Sequence, residues 1–449
     1  MDAADLDRRA RTLSGCIPPP LVARLLELGH AAEVEFRAGR GEWFCAREWA
    51  RLLGEQGRRG EALEVLAPYV ATGWWQAGRA EAELLEDWGR AAEAIERVRP
   101  YASAGDRQAL DFFAGLLARH GRGGEAFSLL SPGIDDWFLA DRLVDVAGVA
   151  GLDEEAAALL EGRVEAVPVC GDPGCADRET VPFNAIGLLA TIRERQGRVQ
   201  DAIDLLRTRR STSVNGRDQL ADLLVRHDRI EELRAYAEAD VLGHAAQSLA
   251  EALEERGDVD GAIEVYRHPA RHCHGTVLLS ELLSRHGRGA EAIEALRALV
   301  QSPGGGDDWI VDTLCALYAD HGRAHDGLAE LDALKARRGG EEEWDFFRMR
   351  LPLMASPGRL DEAIELARAH PEGDTWYAAW SVSDLLAEAG RTEEAVAVLR
   401  PHLPYNDSLL AGHLIDLGRV EEAVGILQAP KPEPLVPFSA DPFSADPPF

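Results

Sequence analysis

The sequence predicts an all-α protein, built as a solenoid of about thirteen antiparallel helical hairpins. Three observations carry this expectation. A short phrase recurs along the chain: an apolar stretch, Gly-Arg, then an acidic residue, Ala and an aliphatic. Its copies are spaced at a period near 32. Small and apolar residues flank each copy at offsets of three and four, which is the helical period.

Residues 1–17 are charged and irregular and read as a short helical lead-in. The repeat then occupies 18–428. Clear copies are Leu52-Leu53-Gly54-Glu55-Gln56-Gly57-Arg58-Arg59-Gly60-Glu61-Ala62-Leu63 and Leu385-Leu386-Ala387-Glu388-Ala389-Gly390-Arg391-Thr392-Glu393-Glu394-Ala395-Val396. The turn residue falls at Gly57, Gly89, Gly121, Gly151, Gly197, Asp228, Gly257, Gly287, Gly322, Gly358, Gly390 and Gly418, with a weaker copy at Gly29. The spacings are 32, 32, 30, 46, 31, 29, 30, 35, 36, 32 and 28, so an insertion lies near 162–182. Glycine suits the left-handed conformation that ends a helix, and Asp tolerates it. Five residues after the turn stands Ala in ten of the twelve units, a small residue that lets two helices approach closely. Four before it stands Leu in eight. Acidic residues just after the turn and Arg or His just before it complement the two helix dipoles, and His120, His227, His286 and His321 fit that role. In such an array the first and last hairpins are expected to act as caps. Residues 429–449 carry seven prolines and a duplicated Phe-Ser-Ala-Asp-Pro, which predicts an extended tail.

These units resemble the tetratricopeptide repeat family over roughly residues 18–428. The shared features are the small residue in the first helix (Ala50, Ala114, Ala221), the Leu three positions on, and the early Ala of the second helix. The Trp, Tyr and terminal Pro positions of that family are mostly missing, and several units are shorter than its own. The resemblance implies a right-handed superhelix whose inner face docks protein segments. It also places Arg51, Glu83, Gly115, Asp145, Thr191, Asp222, Glu251, Glu281, Ala316, Pro352, Asp384 and Gly412 on that face. Members that clamp C-terminal carboxylates need Lys, Asn and Arg there. After Arg51 none of these positions is basic and six are acidic, so such a clamp is not expected. Asp145, Asp222, Glu251, Glu281 and Asp384 are instead the candidate binding residues, for a protein or peptide partner with basic groups. The competing reading is a merely solvated face of a chain with net charge -30.

Tryptophan recurs in register. Trp43, Trp75, Trp137, Trp344 and Trp376 lie fourteen residues before the turn, and Trp309 lies thirteen before. Their register predicts packing between successive repeats rather than a ligand-gripping ladder. Asp136, Asp307 and Thr375 are expected to cap the helices that follow. Cys170 and Cys175 in the insertion, with His272, Cys273 and His274, form a weak alternative metal set. Their spacing of four and the lack of a second cysteine pair argue for ordinary loop chemistry.

Composition bounds the rest. The chain has 78 Asp+Glu against 48 Lys+Arg, and its only lysines are Lys335 and Lys431. That balance opposes nucleic acid and anionic lipid as partners. The preference for Arg, Ala and Gly fits a high-GC bacterial genome. Residues 1–7 show no basic or apolar targeting segment, no stretch is apolar enough to span a bilayer, and six cysteines do not make a disulfide framework. A cytoplasmic protein is expected. Gly-x-Ser-x-Gly, His-Glu-x-x-His and Walker A signatures are all missing, so neither catalysis nor a cofactor is expected. Two functional classes follow: a scaffold that binds partner segments along an acidic face, or a sensing module that closes on a peptide or small ligand and acts in trans. Self-association is compatible with either.

Overall fold

The computed structural model describes residues 2–166, 183–209, 213–214, 217–240, 243–268, 273–302, 306–340, 342–355 and 358–429. Cys170, Cys175, His272 and the Phe-containing tail lie outside the described residues. The described chain is α-helical apart from two-residue strands at Ser213–Val214 and Arg217–Asp218 and two short 3₁₀ turns, as the repeat predicts. Among these residues no helix is long and apolar enough to cross a membrane.

The turn residues behave as the repeat requires. Gly57, Gly390 and the other eleven markers all have positive φ, including Asp228 at 56°. Asp228 is the one marker where a side chain tolerates the left-handed geometry instead of glycine. Leu recurs four positions earlier because its side chain is buried there (Leu53, Leu224 and Leu386 are 1, 0 and 1% exposed), while the backbone carbonyl of that position closes the turn. Arg58 N–H donates to the Leu53 carbonyl at 2.9 Å, and Gly57 N–H to Gly54 at 3.0 Å. The same long-range closure joins Arg229 to Leu224 and Arg391 to Leu386. Each first helix thus ends in a motif that satisfies its last carbonyls and turns the chain into the second helix. The recurrent Gly-Arg-x-x-acid has a second meaning that charge-dipole reasoning missed. The arginine after the turn pairs with the acid three residues on, as in Arg58–Glu61, Arg288–Glu291 and Arg391–Glu394. Ala62, Ala202, Ala292 and Ala423 are fully buried, which confirms the close-approach role of the early alanine.

Asp136 caps its helix by accepting from Phe138 N–H at 2.9 Å, and Thr375 accepts from Ala378 N–H at 3.3 Å. Asp307 stands at the N-cap of helix Asp308–Asp320, but its side chain makes no capping hydrogen bond.

The chain divides into two compact units. One spans Ala91–Ala363. Its core from Ala190 to Leu353 is a continuous row of Ala, Leu, Ile and Val contributed by successive hairpins. The other unit joins Met1–Arg90 to Ile364–Phe449. In it the lead-in helix Ala3–Thr12 buries Leu6, and the loop after it buries Cys16 and Ile17. The buried Glu42 carboxylate is satisfied by Ile17 and Cys45 N–H groups at 3.3 and 2.6 Å.

That second unit corrects the expectation of terminal caps. Leu25 and Val34 of the first hairpin share one core with Leu410, Leu414 and Val424 of the last. Arg24 Nε donates to Asp416 at 2.8 Å, and Arg37 Nη1 to Gln428 at 3.0 Å. The pairing lies within one helical turn of the repeat's own register. Elsewhere the residue ten past one turn meets the residue four past the next, as in Arg207–Glu232. Gln428 is ten past Gly418, and its partner Arg37 bonds Glu33, four past Gly29. The first hairpin packs against the last through these contacts. Both ends are buried by each other, which is why neither needs a polar outer face.

Candidate binding face

The first helix of each hairpin is buried on most sides, and the five candidate acids mark its gap. Asp145, Glu251, Glu281 and Asp384 are exposed, and Asp222 is half-buried, while the two residues on either side of each are all buried. A single exposed position within an otherwise buried run is what a helix sandwiched between neighbours leaves open. Their surroundings differ. Asp145 lies 3.7 Å from Arg142, which reaches the preceding hairpin to bond Asp111 at 2.7 Å. Glu251 accepts from Gln247 Nε2 at 2.9 Å. Glu251 and Glu281 both act on the buried Tyr266 hydroxyl, whose pKa is pushed up by desolvation and then by these carboxylates. Partial burial raises the Asp384 carboxyl above the usual aspartate range.

The face is less purely acidic than the sequence suggested. Arg226 bonds Glu194 at 2.8 Å and Arg285 bonds Glu254 at 2.8 Å, each crossing to the previous hairpin. His227 and His286 join the same carboxylates at 2.9 and 2.8 Å. These histidines thus staple neighbouring repeats, besides complementing helix ends. The arginines hold Glu194 and Glu254 below the ordinary glutamate range.

The tryptophans split, and here the packing expectation holds only in part. Trp43, Trp75 and Trp344 are 5, 7 and 3% exposed, as packing between repeats predicts. Trp137, Trp309 and Trp376 are 60, 47 and 39% exposed, and Trp380 is 49% exposed. The difference lies in cover. Trp43 is enclosed by Tyr69 and Trp74, with ring centroids 5.2 and 4.9 Å away. Trp376 stacks on Tyr405 at 6.0 Å and 21°, but Tyr405 is itself 72% exposed. Helix Trp376–Glu388 consequently presents Trp376, Trp380, Asp384 and Glu388 along one exposed stripe, four residues apart. Helix Trp137–Ala150 repeats the pattern with Trp137, Asp141, Asp145 and Val149. On these two helices the exposed tryptophans and candidate acids share one face, an association that separate readings of charge and aromatics did not make.

Among the described residues no cluster of three or more His, Cys, Asp or Glu could hold a metal ion. Cys273 opens the helix Cys273–Arg285, and His274 follows it as an exposed residue. Burial pushes the Cys16 thiol up to about 11 and Cys315 to about 12, so both are inert neutral thiols at ordinary pH. Ser383 Oγ lies 3.1 Å from His413 Nε2, but Ser383 has no exposed surface and serves to satisfy the buried ring.

The sequence matches no known family model and none of the curated proteins. Solved structures do match it. The complex of Naa15 and Naa10 bound to HypK-THB matches at 15% identity and TM-score 0.46, over 93% of this chain and 68% of that one. The pentatricopeptide repeat protein PPR10 from maize matches at 15% and 0.34, over 88% and 59%. A tetratricopeptide repeat protein from Parabacteroides merdae matches at 12% and 0.28, over 65% and 98%. At these scores the helical-repeat fold rests on the hairpins of this chain and not on the similarities.

Proposed function

We propose that the chain is a non-catalytic interaction scaffold of the cytoplasm, which holds segments of basic protein partners along the exposed stripes of its first helices. The observation that supports it most is the placement of Asp145, Asp222, Glu251, Glu281 and Asp384 at the open positions of otherwise buried helices. A repeat that leaves one side chain per unit open in register offers an extended segment evenly spaced contacts. Carboxylates and indoles at those points suit Arg and Lys. The net charge of -30 supports protein over nucleic acid as the partner.

The reading is tested by pull-down from cytosol with wild type and Asp222→Arg/Glu251→Arg. The expected result is a stoichiometric partner retained at low salt, released at moderate salt and lost with the double variant. Recovery that ignores both salt and the double substitution overturns the acidic-face reading. Recovery of the chain's own second copy alone turns it into a self-associating protein. Compaction in solution scattering on adding a small ligand, with no protein recovered, favours the sensing module instead.

A further inference from the structure

The helix Trp376–Glu388 carries a more specific recognition surface than the acidic positions alone. Its sequence Trp-Tyr-Ala-Ala-Trp-Ser-Val-Ser-Asp-Leu-Leu-Ala-Glu puts Trp376, Trp380, Asp384 and Glu388 on one line, while Ala378, Ala379, Val382, Ser383, Leu385 and Leu386 face the core. Two tryptophans left this open forgo a large hydrophobic gain, since apolar surface contributes about 25 cal/mol per Å² when buried. They do not serve the fold in the way Trp43 does. Tyr405 stacks on Trp376 and extends the aromatic surface. Asp384 follows Trp380 one helical turn on, so its carboxylate stands beside that indole on the exposed stripe.

Indole faces attract cations, and a planar guanidinium can lie on a ring while its N–H groups reach a carboxylate. The molecule shows that pairing elsewhere. On helix Trp137–Ala150, the chain's own Arg107 sits 5.5 Å from the Trp137 ring and 4.6 Å from the Phe138 ring. It also lies 3.3 Å from the Asp136 carboxylate. Among the described residues no arginine or lysine lies over Trp376, Trp380 or Tyr405. The nearby His413 does not supply the charge, because it is buried against Ser383 and held toward its neutral form.

We propose that the Trp376–Trp380–Asp384–Glu388 stripe, with Tyr405, is a docking site for an arginine side chain presented by an extended segment of a protein partner. The proposal rests on the scaffold reading and names the contact chemistry at one hairpin. Residues 430–449 do not qualify as the occupant, since they hold Lys431, Glu433, Asp441 and Asp446 and no arginine.

The test titrates full-length protein with a Gly/Ser peptide carrying two arginines, and with lysine and citrulline versions, following tryptophan emission and calorimetry. The arginine peptide is expected to bind about tenfold more tightly than the other two. Trp380→Ala and Asp384→Asn should each weaken it by about fivefold while leaving the thermal melt in place. Leu366→Ala, at an exposed position of the second helix Leu360–Ala369, should leave it unchanged. Equal affinity for the arginine and lysine peptides, equal affinity in Trp380→Ala, or no binding at millimolar peptide each overturns the proposal. Sedimentation that shows self-association abolished by Trp380→Ala makes a second copy the occupant, and that also overturns it. A partner lost with Asp222→Arg/Glu251→Arg but kept by Trp380→Ala leaves the scaffold standing and removes this site alone.

Discussion

Helices Trp43–Glu55 and Trp376–Glu388 begin alike, each with tryptophan fourteen residues before its turn glycine, yet Trp43 is 5% exposed and Trp376 is 39% exposed. Register fixes where a side chain leaves its helix. It does not fix what covers it. Twelve residues past Gly57 stands Tyr69, and fifteen before Gly89 stands Trp74; these enclose Trp43. The corresponding positions around Gly390 and Gly418 are His402 and Leu403, and Trp376 stays open. Trp75 is covered too, at 7% exposed. Trp344 departs from it, with His370 at that position, because Phe347 of its own helix lies 5.4 Å away. Cover in this repeat is supplied by a few aromatic partners, and where they are missing a core residue becomes a surface one.

The most direct way to break this comparison is to truncate both rings. Trp43→Ala should cost about 3–5 kcal/mol, as for other large buried aromatics. Trp376→Ala should stay within about 0.5 kcal/mol, as at ordinary surface sites. Chemical denaturation measures both, and comparable losses would show that the two positions are covered alike. Next in size is the mutual cover of the chain's ends. Leu25 is fully buried in the core it shares with Leu410 and Leu414. Leu25→Ala should cost about 2–5 kcal/mol. Hydrogen exchange should speed up in helix Val420–Leu427 as well as in helix Pro19–Glu27. Acceleration confined to residues near Leu25 would mean that the last hairpin holds itself. A smaller effect, opposite in sign, is expected beside Trp43. The Tyr69 hydroxyl is buried with no hydrogen-bond partner among the described residues, so Tyr69→Phe should stabilise by about 1 kcal/mol. A loss of stability in the melt would reveal an unrecognised partner.

The hairpins were legible because their causes are local. A positive-φ glycine, a buried leucine four positions before it and an alanine where helices touch all lie within ten residues of each other. The five acids fall at exposed or half-buried positions for the same reason, since the offset from the turn decides which way a helical side chain faces. The packing of the first hairpin on the last was not legible. Arg24 and Asp416 are separated by 392 positions, and nothing at either marks the other. One trace existed. The residue after the turn is arginine in most units, but in the first it is His30, which lines an open groove with Glu33, Arg419 and Glu421. The exposed tryptophans were half legible. Their own register pointed inward, and only the missing aromatic twelve residues past the turn signalled otherwise.

The least covered contacts should respond most weakly, and acid titration sharpens that end of the comparison. Glu194 bonds Arg226 and Glu254 bonds Arg285, and these arginines depress both carboxyls below their ordinary range. A carboxylate whose folded pKa is depressed adds stability above its unfolded pKa, near 4.3, and loses it as pH falls through the lower folded value. Each pair is partly solvated, so its contribution at neutral pH is about 0.2–1 kcal/mol. Glu194→Gln and Glu254→Gln should therefore destabilise by that amount at pH 7. The deficit should shrink below about pH 4, where the wild-type carboxylates also take up protons. Denaturation midpoints measured from pH 7 to pH 3 follow this directly. A deficit that persists unchanged to pH 3 would mean that the glutamates act by packing rather than by charge, and would place them with Trp43 among the covered residues.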